Sequence, residues 1–252
     1  MESPLSDNYL EFLKLIAHDI RWQIILALAE SDMRVHEITR RLDQPQNLVS
    51  YHLQKLKQAL VVGENPSQAD ARSIYYHLNY ETIQSKLLKV EKALAPFPHV
   101  SPTSGRLHSG PKHVLFICTH NSARSQMAEG MLREWGNGLV NVDSAGSDPK
   151  PLHPLVVQAM LEKSIDIRQQ RSKEINLFVQ ETFDYVITVC DRARENCPTF
   201  PGNPVQIHWS IPDPTLCEGS EEELLNTFRN VADELAKRIH SLLDRFSEIQ
   251  FV

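Results

Sequence analysis

A thiol and a guanidinium stand six positions apart in FICTHNSARSQMAEG, Phe116 to Gly130, with Cys118 first and Arg124 second. The apolar run VLFI (Val114–Ile117) comes just before, and Ala128, Met131, Leu132 and Trp135 follow at helical spacing. A strand, a short loop and a helix in that order aim a row of backbone N–H groups and the positive helix end at one point, which suits a tetrahedral oxyanion. The amides of Thr119, His120, Asn121, Ser122 and Ala123 would form that cradle, with Arg124 presenting a planar fork to two oxygens and to the charge that grows during displacement. The same field is expected to favour the Cys118 thiolate, the nucleophilic form, and Ser125 can donate a hydrogen bond to the sulfur. A bare C-x5-R spacing is weak, and a strand-end cysteine is often just a small buried side chain; the strand, loop, helix order is what singles this one out.

The other thiols extend the chemistry. All four cysteines, Cys118, Cys190, Cys197 and Cys217, lie after residue 117. In a reducing cytosol such thiols are more often catalytic, metal-binding or inert than structural disulfides. VITVCDRARENCP places Cys190 and Cys197 seven positions apart behind a strand, so a relay of thiols is open beside the bland reading of two core or loop cysteines. Cys217 reads as a bystander.

These residues need a scaffold, and 252 residues suit two domains, since domains cluster around roughly 100 to 150 residues. The stretch from Ala95 to Lys112, APFPHVSPTSGRLHSGPK, is rich in Pro, Ser and Gly and reads as a linker, which gives a front domain of 1–95, a linker of 96–112 and a rear domain of 113–252. In the rear domain the runs Val114–Ile117, Leu139–Val142, Tyr185–Val189 and Val205–Trp209 alternate with helical patterns, which argues for an α/β domain with a parallel sheet. Its last helix carries Leu224, Phe228, Val231, Leu235, Ile239 and Leu242 on one stripe. The front domain reads as mainly α: two opening helices, a short helix Val35–Leu42, a break at Pro45, a helix with Val49, Leu53, Leu56 and Leu60 on one stripe, then a hairpin and a final helix. That order is a winged helix-turn-helix. Neither a signal core nor an apolar run long enough to cross a bilayer is present, and a cytoplasmic protein without membrane contact is expected. The net charge of -6 does not announce a nucleic-acid partner, so a local basic face would have to supply one.

From Val114 to about Phe246 the chain resembles the low-molecular-weight phosphotyrosine phosphatase fold and, within it, the thioredoxin-coupled arsenate reductases; FICTHNSARSQMAEG and DSAG (Asp143–Gly146) carry much of the likeness. The resemblance implies that Asp213, in HWSIPDP, is the general acid, a role nothing else in the sequence would single out. It also implies that Cys118 attacks arsenate, that Cys190 then attacks Cys118, and that Cys197 ends bonded to Cys190, to be reopened by an external thioredoxin or similar thiol reductant, with no bound cofactor. A tyrosine phosphatase with a regulatory DNA module and a non-catalytic oxyanion or redox sensor are the alternatives. Phosphatases of this fold carry tyrosines after the Asp-Pro pair, whereas this chain reads DPTLCEG; side activity on phosphate esters would be natural. His120 takes a loop place where a smaller residue is expected in many relatives, and Ala123 one where some reductases carry another cysteine.

Residues Asp7 to about Ala95 resemble the ArsR family of winged-helix repressors, chiefly through QNLVSYHLQKLKQALVV. The resemblance implies a helix from Gln46 to Ala59 in the major groove of an operator, with Gln46, Asn47, Ser50 and Tyr51 at base edges or phosphates. Arg40, Arg41, Lys55, Lys57 and Arg72 would neutralise phosphates. It also implies a homodimer through the first and last helices of the front domain. Family members that sense soft metals there use cysteines, and this half has none; His77, Glu81 and Glu91 offer no convincing alternative, so no metal site is expected.

Overall fold

The computed structural model describes residues 8–70, 72–94 and 110–248. The chain divides into two compact units at Thr103 and Ser104. The linker expected at 96–112 lies outside the described residues except for its last three, and Lys112 already opens a strand because its N–H bonds Leu139 O at 2.9 Å.

The front unit runs α1 (Asn8–Ile16), α2 (Asp19–Glu30), β1 (Met33–Arg34), α3 (Val35–Leu42), α4 (Gln46–Gln58), β2 (Val62–Pro66), β3 (Ile74–Leu78) and α5 (Tyr80–Leu94). Asp43 takes a left-handed conformation, φ 50°, at the end of α3, and Pro45 caps α4, so the turn between the two helices is built by residues that cannot prolong a helix. Ile24, Leu28, Ile38, Val49, Leu53 and Leu56 close the core beneath them. Leu60 leaves the expected stripe: the helix stops at Gln58, Leu60 sits at φ 58° with 66% of its surface exposed, and Val61 takes the core place. The physical reason is the helix end itself, where Leu60 N–H bonds Lys57 O and Val61 N–H bonds Leu56 O, forcing one left-handed residue. The hairpin forms as expected. The two-residue β1, too short to give a period, pairs antiparallel with β3 and completes a sheet of order β1-β3-β2.

In the rear unit β4 (Lys112–Cys118), β5 (Val140–Gly146), β6 (Tyr185–Thr188) and β7 (Val205–His208) form one parallel sheet of order β5-β4-β6-β7. β4 is buried without a break from Val114 to Cys118, as a strand covered on both faces must be. Around the sheet lie α6 (Arg124–Trp135), α7 (Pro154–Glu162), α8 (Asp191–Glu195) and α9 (Glu221–Glu248). The chain leaves β4 for β5 on one side and later fills β6 on the other, so the carboxyl end of β4 is where the winding reverses and a crevice opens. Cys118 is the last residue of that strand. Toward this crevice β4 runs one residue and β5 four residues further than their apolar runs foretell, pairing Cys118 with Gly146. On α9 the buried residue is Leu225 where Leu224 was expected, and Phe228, Val231, Leu235, Ile239 and Leu242 are buried as their spacing foretold.

Candidate active site and nucleic-acid interface

The loop after β4 is held from outside by its carbonyls. Thr119 O, His120 O and Ser122 O accept the N–H groups of Asp148, Lys150 and His153 at 2.9, 2.9 and 3.0 Å, and Asn121 O accepts Ser172 Oγ at 2.6 Å. In a planar peptide the N–H points opposite to its C=O, so the amides of His120, Asn121, Ser122 and Ala123 turn inward. Asn121 N–H bears this out by donating to Cys118 Sγ at 3.0 Å. The sulfur also lies 2.9 Å from Ser125 Oγ. Cys118, Arg124 and Ser125 are all buried.

Asn121 is the keystone of this loop, a part the sequence did not assign to its side chain. It adopts φ 46°, its Nδ2 donates to Ser125 Oγ at 2.9 Å and Ser144 Oγ at 2.7 Å, and its Oδ1 accepts Gln126 Nε2 at 3.1 Å and Lys173 N at 2.7 Å. Ser144 in turn donates to the buried Glu129 carboxylate, whose charge is met by Arg133 and by Lys173 Nζ at 3.3 Å. Gly146 leaves room for the loop, since a Cβ there would stand 2.6 Å from Thr119 O and 2.9 Å from Asn121 N. Gln126, Glu129, Ser144 and Lys173 escaped sequence reasoning; only the small residues of DSAG hinted that something passes close by.

Arg124 reaches across the crevice. Its Nη1 donates to Ile211 O at 2.8 Å and its Nη2 to Asp213 Oδ2. The structure therefore brings the Asp-Pro pair to the cradle, and Asp213 also caps the short turn Pro214–Leu216 through Thr215 N–H at 3.1 Å. The expectation of a Cys118 thiolate needs correction in this arrangement. Burial pushes the thiol up and the nearby Cys190 adds to it, while Arg124, Ser125 and the Asn121 amide pull the other way. Burial is the largest of these influences, and the Arg124 guanidinium also pairs with the Asp213 carboxylate.

Cys190 lies beside the cradle, its Sγ 3.4 Å from Thr119 Oγ1 and accepting Ala193 N–H at 3.4 Å. Cys197 follows α8 and packs half-buried against the core, where burial pushes its thiol up to about 11. All four cysteines are free. Cys217 is exposed and takes Thr227 Oγ1 at 3.5 Å. His120, in the loop, turns its ring toward Asp148 at 3.5 Å, and Ala123 opens α6 as its cap. Among the described residues no group of three or more His, Cys, Asp or Glu side chains could hold a metal, and no helix is long and apolar enough to cross a membrane.

In the front unit α4 turns Gln46, Asn47, Ser50, Tyr51, Gln54 and Lys55 outward while Val49, His52, Leu53 and Leu56 face the core. Lys55 Nζ stands 5.6 Å from the Tyr51 ring centre. Arg40 is exposed on α3, and Arg72 projects from the hairpin with 93% of its side chain exposed, 3.3 Å from Asp70. Arg41 is held by Glu30 and Lys57 by Glu64, so these two cations present less free charge than their types suggest.

Comparison with known proteins fits both halves. The model of the low molecular weight phosphotyrosine protein phosphatase family matches residues 113–250, and that of the bacterial regulatory protein, arsR family, matches residues 18–62, which span α2 to α4. An arsenate reductase of Halalkalibacterium halodurans is 40% identical over 133 residues, 53% of this chain and 96% of that protein. One from Bacillus licheniformis is 42% identical over 137 residues, 54% of this chain and 96% of that protein. A solved structure described as an arsenate reductase in oxidized state is 31% identical, covering 54% of this chain and 98% of that one, with a TM-score of 0.48. The chain belongs to the low molecular weight phosphotyrosine protein phosphatase family, on its arsenate reductase branch, and carries an arsR-family helix-turn-helix ahead of it.

Proposed function

We propose that the rear domain reduces arsenate to arsenite through Cys118, Cys190 and Cys197, and that the front domain regulates transcription by binding an operator. The observation that carries the reading is the Cys118 sulfur accepting the Asn121 amide in a loop whose amides turn inward, with Arg124 paired to Asp213 and Cys190 Sγ 3.4 Å from Thr119 Oγ1 of the same loop. The amides from His120 to Ala123 and the Arg124 fork hold arsenate. Cys118 attacks arsenic, and Asp213 protonates the departing oxygen. Cys190 thiolate then attacks the Cys118 sulfur; the As–S bond breaks toward arsenic, which takes the electron pair and leaves as arsenite, and a Cys118–Cys190 disulfide forms. Cys197 attacks Cys190, Cys118 departs as thiolate, and a thioredoxin-like reductant reopens the last bond. Cys190 and Cys197 flank the five-residue α8, which separates them along the chain. A disulfide brings Cα atoms within about 7 Å, so α8 unwinds in that step. The five-residue length of α8 makes such unwinding inexpensive.

An aryl phosphatase reading gains nothing from the crevice rim, where Thr215 and an exposed Leu216 follow Pro214. For the front domain, Gln46, Asn47, Ser50 and Tyr51 read bases or phosphates, and Arg40, Arg41, Lys55 and Arg72 contact the backbone. Exposed Leu13, Trp22, Leu87 and Leu88 on α1, α2 and α5 support a homodimer through this domain. The test is arsenite release from arsenate with purified thioredoxin and thioredoxin reductase. Loss in both Cys118→Ser and Cys190→Ser is expected, and full turnover in Cys190→Ser would overturn the relay.

A further inference from the structure

The residue after Cys190 is a buried acid. Asp191, 3% exposed, places Oδ1 3.1 Å from Nε2 of His208, itself 3% exposed, and Nδ1 of His208 lies 2.9 Å from Thr188 Oγ1. Thr188 ends β6, His208 ends β7 and Asp191 opens α8, so the three side chains bolt the first turn of α8 to two strands. None of them belongs to the cradle. A buried carboxylate is costly unless a partner meets its charge. Here it also neighbours a thiol that must become an anion to attack, and two negative charges in a poorly screened interior oppose one another.

We infer that Asp191 and a protonated His208 are a positioning pair for Cys190: the imidazolium meets the carboxylate's charge and fixes the start of α8, so that the Cys190 sulfur can carry negative charge while seated beside Thr119. The inference rests on Cys190 being the second thiol of the relay, but its test needs no arsenate. The contacts that join Asp191, His208 and Thr188 involve none of the reacting sulfur atoms, and both residues act through Cys190.

The two partners of an ion pair should act with opposite sign. Iodoacetamide labelling of Cys190 in the full, reduced chain, followed by peptide mass spectrometry at one fixed pH, reads the effect directly, with labelling of the exposed Cys217 as internal reference. His208→Gln keeps a donor for Asp191 but removes the positive charge, and slows Cys190 labelling by about 3- to 10-fold, the size expected when one buried charge loses its partner. Asp191→Asn speeds it, and the paired amides of Asp191→Asn with His208→Gln return it to within about 2-fold of the unmodified chain. A purely mechanical clamp predicts something else: each variant loosens α8 and speeds labelling of a buried thiol. Acceleration in His208→Gln overturns the inference. Should that variant not fold, the double variant decides, because labelling as fast as in Asp191→Asn alone overturns it and a return to the unmodified rate sustains it. Failure of the relay itself would show separately, as arsenate turnover that survives Cys190→Ser.

Discussion

The two functional faces of this chain are made in opposite ways. The loop after β4 is concave and buried, and its Asn121 draws on Ser125, Gln126, Ser144 and Lys173, the last of them 52 residues away. The α4 surface is convex, and Gln46, Asn47, Ser50 and Tyr51 point outward with their helix supplying the only framework they need. A chemical site must exclude water and fix its dipoles before the substrate arrives, so it is built from many distant bonds. A reading site must fit a groove, so it is displayed on one element. Damage should therefore spread through the first and stay local in the second.

The largest effect expected is from removing the nucleophile: Cys118→Ser lowers arsenate turnover by about 10⁴-fold or more, measured as arsenite formed, with operator binding unchanged in a gel-shift assay. Gly146→Ala comes next, although Gly146 need touch no substrate. Its Cβ would enter the space of Thr119 O and Asn121 N, so turnover falls by about 10²-fold and the rear domain loses about 1–3 kcal/mol in a denaturant titration. Retained turnover in that variant would break the contrast between a distributed and a local site.

Asp213→Asn sharpens it in another way. Arsenate turnover falls by about 10²-fold or more because the departing oxygen loses its proton donor. Yet alkylation of Cys118 at a fixed pH becomes faster, since burial holds the thiol up and the Arg124 guanidinium, no longer shared with a carboxylate, is free to stabilise the sulfur anion. In the front domain Tyr51→Ala weakens operator binding by about 1–3 kcal/mol, roughly 10- to 100-fold, and leaves arsenate turnover as it was.

The smallest effect concerns acid stability. Burial, then His18 and Arg21, push the His52 imidazole below its usual 6.5. A depressed histidine keeps its full contribution above the unfolded value and loses it as pH falls from 6.5 through the folded one. Melting curves of the front domain should thus drop as pH falls below that value, and His52→Gln should flatten the dependence.

Local chemistry was legible early. Pro45 announced the turn before α4, and the apolar period separated Val49, Leu53 and Leu56 from the displayed polar residues. VLFI followed by Cys118 gave the strand-end thiol, and Arg124 and Ser125 came with it because six or seven residues of loop leave few ways to arrange them. What failed were end effects and distant partners. Leu60 obeyed the helix period on paper but fell to the demand for a left-handed residue at the helix end, and β1 was too short to carry a pattern. The inward field of the loop was foreseen, whereas the burial that opposes it at Cys118 and the Arg124–Asp213 ion pair were not.

The sequence by itself determined the order of the longer strands and helices, which thiol ends a strand, and which face of α4 is polar, because hydrophobic period and turn residues act over a few neighbours. Tertiary structure alone decided that Asn121 anchors the cradle, that Gly146 makes room for it, and that Asp191 meets His208 beside Cys190. Those contacts join residues 17 to 52 positions apart, and a hydrogen bond depends on where the sheet order β5-β4-β6-β7 delivers two atoms rather than on any spacing along the chain.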